Sequence, residues 1–269
     1  MGPRRMNQSK LARANSLYRI AAIISVSALM SACGTEGAAG PLEPTGPTGR
    51  IRLVNLITDA VRGRVNASLE GVVFTVDLQY AQAAPANLPA PATANYAAVY
   101  TGGRAFALKR TADTTVAVAT LNFTAADGED RTMYAIGGAG GSAITGFQTV
   151  DTNPAAATTE TRVRVVNMSP TGGAVDVFVT AVGADLATAT PRASSLAYQA
   201  ASAYFTVAPG AYQVRAVPAG TAAANRNAAV TINLATTGTA FVGGSGRTVV
   251  LADNATGGAP LRAFVISDR

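Results

Sequence analysis

Residues 162–168 read RVRVVNM, and residues 50–56 read RIRLVNL. Side chains of different character alternate through both stretches, which is the period of two expected for a β-strand with two distinct faces. Val163 and Val165 share one face of the second stretch, and Arg164 lies on the other face. The two stretches therefore predict β-strands that begin two related units.

The similarity between the two units continues in the same order along the chain. The further matches are Tyr96 with Tyr204, Gly102 with Gly210, 121–123 with 232–234, and 135–137 with 241–243. We interpret the chain as a tandem duplication. Repeat 1 occupies 50–150, a polar linker occupies 151–160, and repeat 2 occupies 161–269.

Inside each repeat, short runs rich in Thr, Val and aromatic residues are separated by Gly, Pro, Asn and Asp. Turns of this kind lie at 127–128, 208–210 and 254–257. The pattern predicts an all-β fold with two tandem immunoglobulin-like β-sandwich domains of about seven strands each. Longer insertions are expected at 81–95 in repeat 1 and at 181–192 in repeat 2.

The N-terminal segment has the features of a secretory signal. Residues 1–19 carry basic side chains and no acidic ones, and 20–30 are apolar and uncharged. A spanning helix needs about 20 apolar residues, so this run favours a cleaved signal peptide. The n-region is long, and either Met1 or Met6 can be the translation start.

The stretch Leu-Met-Ser-Ala-Cys at 29–33 resembles the lipobox of bacterial lipoproteins. The resemblance implies a signal peptide at 1–32, cleavage between Ala32 and Cys33, and a lipid on the Cys33 thiol. Gly and Pro dominate 34–49, which predicts that 33–49 form a lipidated flexible tether. Gly34 implies sorting to the outer membrane. An ordinary signal peptide followed by an incidental cysteine is the alternative.

Three stretches of repeat 2 resemble the bacterial extracytoplasmic family called domain of unknown function 4397. They are RVRVVNMSP at 162–170, AVDVFV at 174–179 and AYFTVAPGAYQVR at 203–215. Repeat 1 departs from this pattern with ITD at 57–59 and VNASL at 65–69, so it is the less similar copy. The resemblance implies immunoglobulin-like domains and assigns no catalytic residue.

Composition excludes several kinds of active site. The chain has no His and one Cys, so Ser-His-Asp and Cys-His arrangements, His/Cys zinc sites and an intrachain disulfide cannot form within one chain. No cofactor is predicted. Five of the 21 basic residues lie in 1–32, which leaves 16 against 15 acidic residues. This balance does not favour a nucleic-acid partner.

The weak calcium candidates are Asp127, Glu129 and Asp130, which provide three carboxylates within one turn. Their spacing does not fit an EF-hand, and Asp-Gly is common at turns. A solvated turn is therefore the preferred interpretation, and no metal site is predicted.

Other patterns have ordinary structural explanations. The glycine-rich runs at 137–141 and 243–248 lack the lysine spacing of a phosphate-binding loop, so strand ends and turns are expected. Lys109 is the only lysine after the leader, and it fits a solvated strand position. Arg50, Arg52, Arg162 and Arg164 form two basic stripes, which suit either anionic ligands or pairing with nearby acids. Six tyrosines are candidates for stacking on sugars, namely Tyr80, Tyr96, Tyr100, Tyr198, Tyr204 and Tyr212.

These observations predict a lipid-anchored protein of the bacterial cell envelope with a structural, adhesion or partner-binding role and no enzymatic activity. The expected partners are the membrane, through the lipid on Cys33, and an envelope protein or glycan. The alternatives are a glycan-binding or envelope-polymer-binding module and, third, a hydrolase. An exposed edge strand favours a protein partner, whereas aromatic side chains in a shared groove favour a glycan.

Overall fold

The computed structural model describes residues 46–85, 96–235 and 241–268. This part of the chain contains eighteen β-strands and two short 3-10 turns, at Ala139–Gly141 and Ala223–Asn225. The predicted all-β fold is therefore confirmed. Ala32 and Cys33 lie outside the described residues, so lipidation and cleavage stay predictions. No helix in the described ranges has the length and apolar character needed to span a membrane.

Nine strands belong to repeat 1, more than the predicted seven. They are β1 (Thr48–Ile57), β2 (Val65–Leu69), β3 (Val72–Leu78), β4 (Ala83–Ala84), β5 (Ala97–Tyr100), β6 (Gly102–Arg110), β7 (Ala117–Ala125), β8 (Asp130–Gly137) and β9 (Ile144–Asp151). The two extra elements are β4 and β5, which pair with different parts of the long strand β1.

Repeat 2 also has nine strands. They are β10 (Thr161–Met168), β11 (Val175–Thr180), β12 (Ala193–Leu196), β13 (Ala200–Ala201), β14 (Phe205–Val207), β15 (Gln213–Pro218), β16 (Ile232–Ala235), β17 (Gly246–Ala252) and β18 (Arg262–Ser267). The order of elements matches repeat 1 strand for strand, which supports the duplication inferred from the sequence.

Each repeat contains two sheets. In repeat 1, sheet A has the order β4-β1-β8-β9 with β5 beside β1, and sheet B has the order β3-β2-β6-β7. In repeat 2, sheet C has the order β13-β10-β17-β18 with β14 beside β10, and sheet D has the order β12-β11-β15-β16. The pairs β1–β8 and β10–β17 are parallel, and the other pairs are antiparallel.

Three apolar clusters define the layers. One lies between sheets A and B, a second lies between sheets C and D, and a third, the central cluster, lies between sheets A and C. The central cluster includes Val54 and Tyr134 from repeat 1 and Val166, Met168 and Val250 from repeat 2. The layers therefore follow the order B, A, C, D.

This layering explains why the first strand of each repeat is buried on both faces. Leu53 packs inside its own sandwich, and its neighbour Val54 packs against the other repeat. Val165 and Val166 divide in the same way between the inner core of repeat 2 and the central cluster. The alternation seen in the sequence is real, but both of its faces are interior.

A buried asparagine lies near the end of the first strand of each repeat and makes equivalent hydrogen bonds in both. The Asn55 side-chain amide donates to the carbonyls of Gly63 and Leu78, both at 2.8 Å. The Asn167 amide donates to Gly173 and Leu196 at 2.7 and 2.9 Å. Each asparagine thereby ties its strand to the loop before the second sheet and to the last residue of that sheet's edge strand, Leu78 of β3 or Leu196 of β12.

Two sequence matches between the repeats are wrong. Across the paired strands, Leu121 corresponds to Leu234 and not to Ile232. The larger error concerns 135–137. The residues at 135–137 belong to β8, which pairs in parallel with β1. Their structural counterparts lie on β17, which pairs in parallel with β10, and not at 241–243. Phe241 instead forms an isolated bridge with Gly210. The error arose because 241–243, in the loop before β17, have the same short motif of two apolar residues and a glycine.

Pro44–Arg269 forms one compact unit. The central cluster and a set of buried ion pairs connect the two repeats inside it. The boundaries predicted at 50–150 and 161–269 stay a prediction, because a shared cluster is compatible with either one or two folding units.

Candidate functional site

Two arginines lie at the contact between the repeats. Arg52 of β1 and Arg164 of β10 occupy equivalent positions, and they are 0% and 2% exposed. The Arg52 guanidinium donates to Asp268 at 2.8 Å, and the Arg164 guanidinium donates to Asp151. Each arginine therefore pairs with an acid of the other repeat. We call these four residues the charge network.

The acids are positioned by groups from their own repeat. Asp151 accepts a hydrogen bond from the Tyr96 hydroxyl at 2.8 Å and another from Thr132. Asp268 accepts hydrogen bonds from Thr248 at 2.7 Å and from the Tyr204 hydroxyl at 3.2 Å. Several donors therefore satisfy both buried carboxylates, which is the condition for a buried ion pair to be tolerated.

Side chains of the same types, one threonine and one tyrosine, surround each of the two guanidinium groups. Nε of Arg52 donates to Thr132 at 3.1 Å, and Nε of Arg164 donates to Thr248 at 2.8 Å. The Arg52 guanidinium lies 4.5 Å from the centre of the Tyr96 ring, and that of Arg164 lies 5.1 Å from the Tyr204 ring. The network therefore has approximate two-fold symmetry.

The electrostatics keep both arginines charged. Burial alone lowers the pKa of Arg52, but the nearby Tyr96 and Asp268 raise it above its usual value. The pKa of Arg164 is likewise raised by Asp151, against the effect of burial. Burial raises the pKa of Tyr96 and Tyr204. Both guanidinium groups of the network therefore keep their positive charge despite their burial.

The other two arginines of the predicted stripes also pair with acids. Nε of Arg50 donates to Asp130 at 2.6 Å, and Nη2 of Arg162 lies 3.6 Å from Glu160. Of the two interpretations of the stripes, the structure therefore supports pairing with nearby acids.

The three calcium candidates point to separate partners. Asp127 accepts from the Thr48 backbone N–H at 3.1 Å, and Glu129 pairs with Arg131. Asp130 is engaged by Arg50. Within the described ranges, no group of three or more acidic, His or Cys side chains is arranged to hold a metal.

The glycine-rich runs and Lys109 occupy structural positions. Gly137 ends β8, and a 3-10 turn follows it at Ala139–Gly141. Gly244 lies in the turn before β17 and has a positive φ of 78°. Lys109 is exposed on β6. The predicted strand ends, turns and solvated strand position are confirmed.

The six candidate tyrosines do not form one platform. Tyr96 and Tyr204 belong to the surroundings of the charge network, and Tyr212 stacks on Phe241 with ring centres 5.6 Å apart. Tyr100 is exposed on β5. The remaining two, Tyr80 and Tyr198, line one cavity together.

This cavity has a volume of about 270 Å³ and lies between the repeats. Its apolar lining comes from the central cluster and includes Leu56, Ile136 and Met168. The polar rim includes Ser142, and Asp253 also lines the cavity. This volume is just below the range of about 300–1,000 Å³ that is usual for ligand pockets, so only a compact molecule would fit.

A second feature is the free edge of sheet B. Strand β3 pairs with β2 on one side only, and it presents Val73 and Val76 to solvent at 70% and 67% exposure. A groove of about 500 Å³ runs between 75–78 of β3 and 264–267 of β18. Strand β18 is also the last strand of its sheet.

Sequence reasoning missed both acids of the charge network. Asp151 was assigned to the polar linker, and Asp268 stands one residue from the end of the sequence. Residues of either kind are usually exposed to solvent. The available signal was the pair of arginines at equivalent, strand-internal positions, since each buried cation needs a buried anion.

Comparison with protein families gives one match. The model of the family described as Domain of unknown function (DUF4397) matches residues 49–178. This range covers repeat 1 and continues through β10 into β11, so it does not show a second copy of the family domain. The sequence had indicated the stronger resemblance in repeat 2.

Comparison with other proteins adds little. No curated protein matches the chain. One solved structure that it resembles is a leucine-rich repeat protein from Bacteroides thetaiotaomicron, at 12% identity and a TM-score of 0.17. The match covers 77% of this chain and spans 26% of that protein. A likeness this slight carries no argument about fold or function.

Proposed function

We propose that this chain is a lipid-anchored protein of the bacterial cell envelope, on the outer membrane, with no catalytic activity. In this proposal its two β-sandwich repeats form one rigid unit that binds a protein partner. The anchoring part rests on the sequence, where the only cysteine directly follows a short apolar run. The non-catalytic part rests on the lack of His and of a second Cys.

The observation that carries the partner-binding role is the exposed edge of β3. An edge strand offers unpaired backbone N–H and C=O groups, and an added strand from a partner can pair with them. Natural proteins usually protect such edges with charged side chains or proline. Strand β3 carries one charged residue, Asp77, but it also exposes Val72, Val73 and Val76. The groove beside β18 gives the added strand a second wall.

The glycan alternative has less support. Four of the six tyrosines are occupied elsewhere or isolated, and a cavity of 270 Å³ is too small for more than a short part of a polymer. A protein partner is therefore the better match to the surface.

Site-specific photo-crosslinking in the native envelope tests the partner-binding role. A crosslinker at Val73 should give a defined protein adduct. A crosslinker at Val182, which is 54% exposed in repeat 2, should not. A Val76→Lys change should weaken the adduct at position 73. Equal adducts at both positions, or none at 73, would mean that β3 binds no partner.

The anchoring part has its own test. Cys33→Ser should abolish labelling with radioactive fatty acid and either release the protein from membranes or leave an uncleaved precursor. Ser31→Thr is the matched control, because it leaves the thiol in place. Normal processing and membrane retention of Cys33→Ser would exclude the lipoprotein.

A further inference from the structure

The cavity between the repeats is lined by two tyrosines at equivalent positions. Tyr80 precedes Ala81, whose N–H donates to Asn55, and Tyr198 precedes Gln199, whose N–H donates to Asn167. Ala81 and Gln199 both have positive φ, at 62° and 57°. A non-glycine residue in this conformation is strained. Both repeats thus use a strained backbone next to a tyrosine that lines the shared cavity.

A buried carboxylate borders the same cavity. Asp253 is 3% exposed and accepts hydrogen bonds from Ser169 at 2.5 Å, from Thr171 at 2.6 Å and from the Gly258 N–H at 2.9 Å. None of the ion pairs found in the described part of the chain includes Asp253. Its negative charge is therefore balanced by dipoles and not by a cation.

The lining residues give the cavity a clear electrostatic character. The described lining contains no Lys or Arg. Burial and the charge of Asp253 raise the pKa of Tyr80 to about 12, whereas Arg262 acts in the opposite direction. Arg262 is exposed at the start of β18, so solvent screens its field. The Tyr80 hydroxyl donates to the Asp253 backbone carbonyl.

We propose that this cavity binds a compact organic cation with a quaternary ammonium group. Aromatic faces attract such cations through the negative potential of the ring. The buried carboxylate adds a negative field in a region of low dielectric constant. The ammonium methyl groups would contact the apolar side of the cavity, at Leu56, Ile136 and Met168. This site is separate from the β3 edge, and it does not depend on the proposed partner-binding role.

Calorimetric titration of the full-length protein in a maltoside detergent tests the proposal. The probes are choline and its neutral isostere 3,3-dimethyl-1-butanol, which has the same shape without the charge. Choline should bind at least tenfold more tightly than the isostere. Equal binding of the two, tighter binding of glucose, or no choline binding at 10 mM would overturn the proposal.

Variants of Tyr198 separate ring contact from other effects. No hydrogen bond of its hydroxyl is found among the described residues, so removing the hydroxyl in Tyr198→Phe should not affect folding, whereas the ring itself packs against the central cluster. Tyr198→Leu should weaken choline binding at least fivefold, and Tyr198→Phe should retain it because the aromatic face remains. Asp253→Asn should also weaken binding. Tyr100→Leu, on an exposed strand away from the cavity, is the matched control. Unchanged binding by Tyr198→Leu would contradict the proposal.

A quaternary ammonium group can come from a free cation or from a lipid headgroup. A parallel titration with glycerophosphocholine distinguishes the two sources. Binding that equals choline binding and depends on Tyr198 would identify a lipid headgroup as the ligand. Binding of choline alone would identify a free cation. If neither probe binds, the proposal fails.

Discussion

The two repeats of this chain differ in the turn that follows their first strand. Repeat 1 follows its first strand with Asp59, which caps the backbone N–H groups of Val61 and Arg62 at 2.8 Å. Repeat 2 has Ser169 at the start of this turn and fixes it through Asp253, the residue that follows β17. One function, holding the turn, is thus performed by unrelated side chains.

The repeats agree where they contact each other. The Arg, Thr, Tyr and Asp of the charge network and its surroundings occur in both halves, in equivalent positions. One exception lies in the central cluster. Tyr134 of β8 and Val250 of β17 occupy equivalent positions in the two repeats but are different residues. The comparison teaches that the buried charge network restricts sequence change more than the turn after the first strand does.

Removing one acid of the charge network should have the largest effect. Asp151→Ala leaves Arg164 buried without its partner, and losing one member of a buried pair costs about 3–5 kcal/mol of stability. Asp268→Ala should cost slightly less, because Asp151→Ala also removes the acceptor of a hydrogen bond from Thr149. Denaturant titration measures both values. Asp113→Ala, in an exposed turn, is the control. A change below about 1 kcal/mol for Asp151→Ala would contradict this expectation.

Replacing the asparagine near the end of β1 or of β10 should cost the same amount of stability in each case, and less than replacing an acid of the charge network. Asn55→Ala and Asn167→Ala each leave two buried carbonyls without a donor, which costs about 2 kcal/mol. Thermal unfolding of the two variants provides the comparison. Asn233→Ala, on an exposed face of β16, should stay near wild type. If the two losses differ by more than a factor of two, the repeats do not use this asparagine in the same way.

Replacing Tyr134, which has no equivalent tyrosine in repeat 2, should change the stability of the protein. Its hydroxyl is buried and has no hydrogen-bond partner in the described structure, so Tyr134→Phe should raise the free energy of unfolding at pH 7 by about 1 kcal/mol. Tyr100→Phe, at the surface, should change nothing. An equal or lower stability of Tyr134→Phe at pH 7 would show that the hydroxyl has a partner.

Tyr134 should also make the free energy of unfolding depend on pH. Burial raises the pKa of Tyr134 from 10.0 to about 12, so the folded state holds this proton more tightly than the unfolded state. The resulting stability is present below pH 10 and is lost as the pH rises towards 12. Tyr134→Phe should therefore lose less stability than wild type across this range. Identical slopes for both proteins would contradict the assignment.

The smallest effect is expected at the strained residues beside the cavity. Ala81→Gly and Gln199→Gly relieve a positive φ, and the greater freedom of glycine in the unfolded chain offsets part of the gain. Each change should stabilise the protein by about 0.5 kcal/mol. Ala107→Gly, inside β6, is the control and should destabilise it. Destabilisation by either of the first two changes would mean that the strain is absent.

Much of this fold could be predicted from the sequence. Alternation at Val163 and Val165 identified strands, and the spacing between equivalent stretches identified the duplication. The position of Asn167 at the end of its strand is also visible in the sequence. These features are local, because a strand's period and its turns depend on neighbouring residues.

The contact between the repeats could not be predicted in this way. The alternation places Arg164 on one face, but it does not say whether that face meets water or another sheet. Asp151 is far from Arg52 and Asp268 in sequence, and their proximity depends on how sheets A and C pack. A residue such as Tyr80 becomes part of a cavity only after both repeats are in place.

The crossed ion pairs bear on how such a chain can arise. Each repeat carries one arginine and one aspartate, and each arginine meets the aspartate of the other half. A single ancestral domain with both residues would complement a second copy of itself and form two identical pairs in a symmetric dimer. Gene fusion would then convert an assembly that depends on concentration into an intramolecular one. After fusion, the two halves are free to diverge wherever symmetry is no longer required, as Tyr134 and Val250 have done.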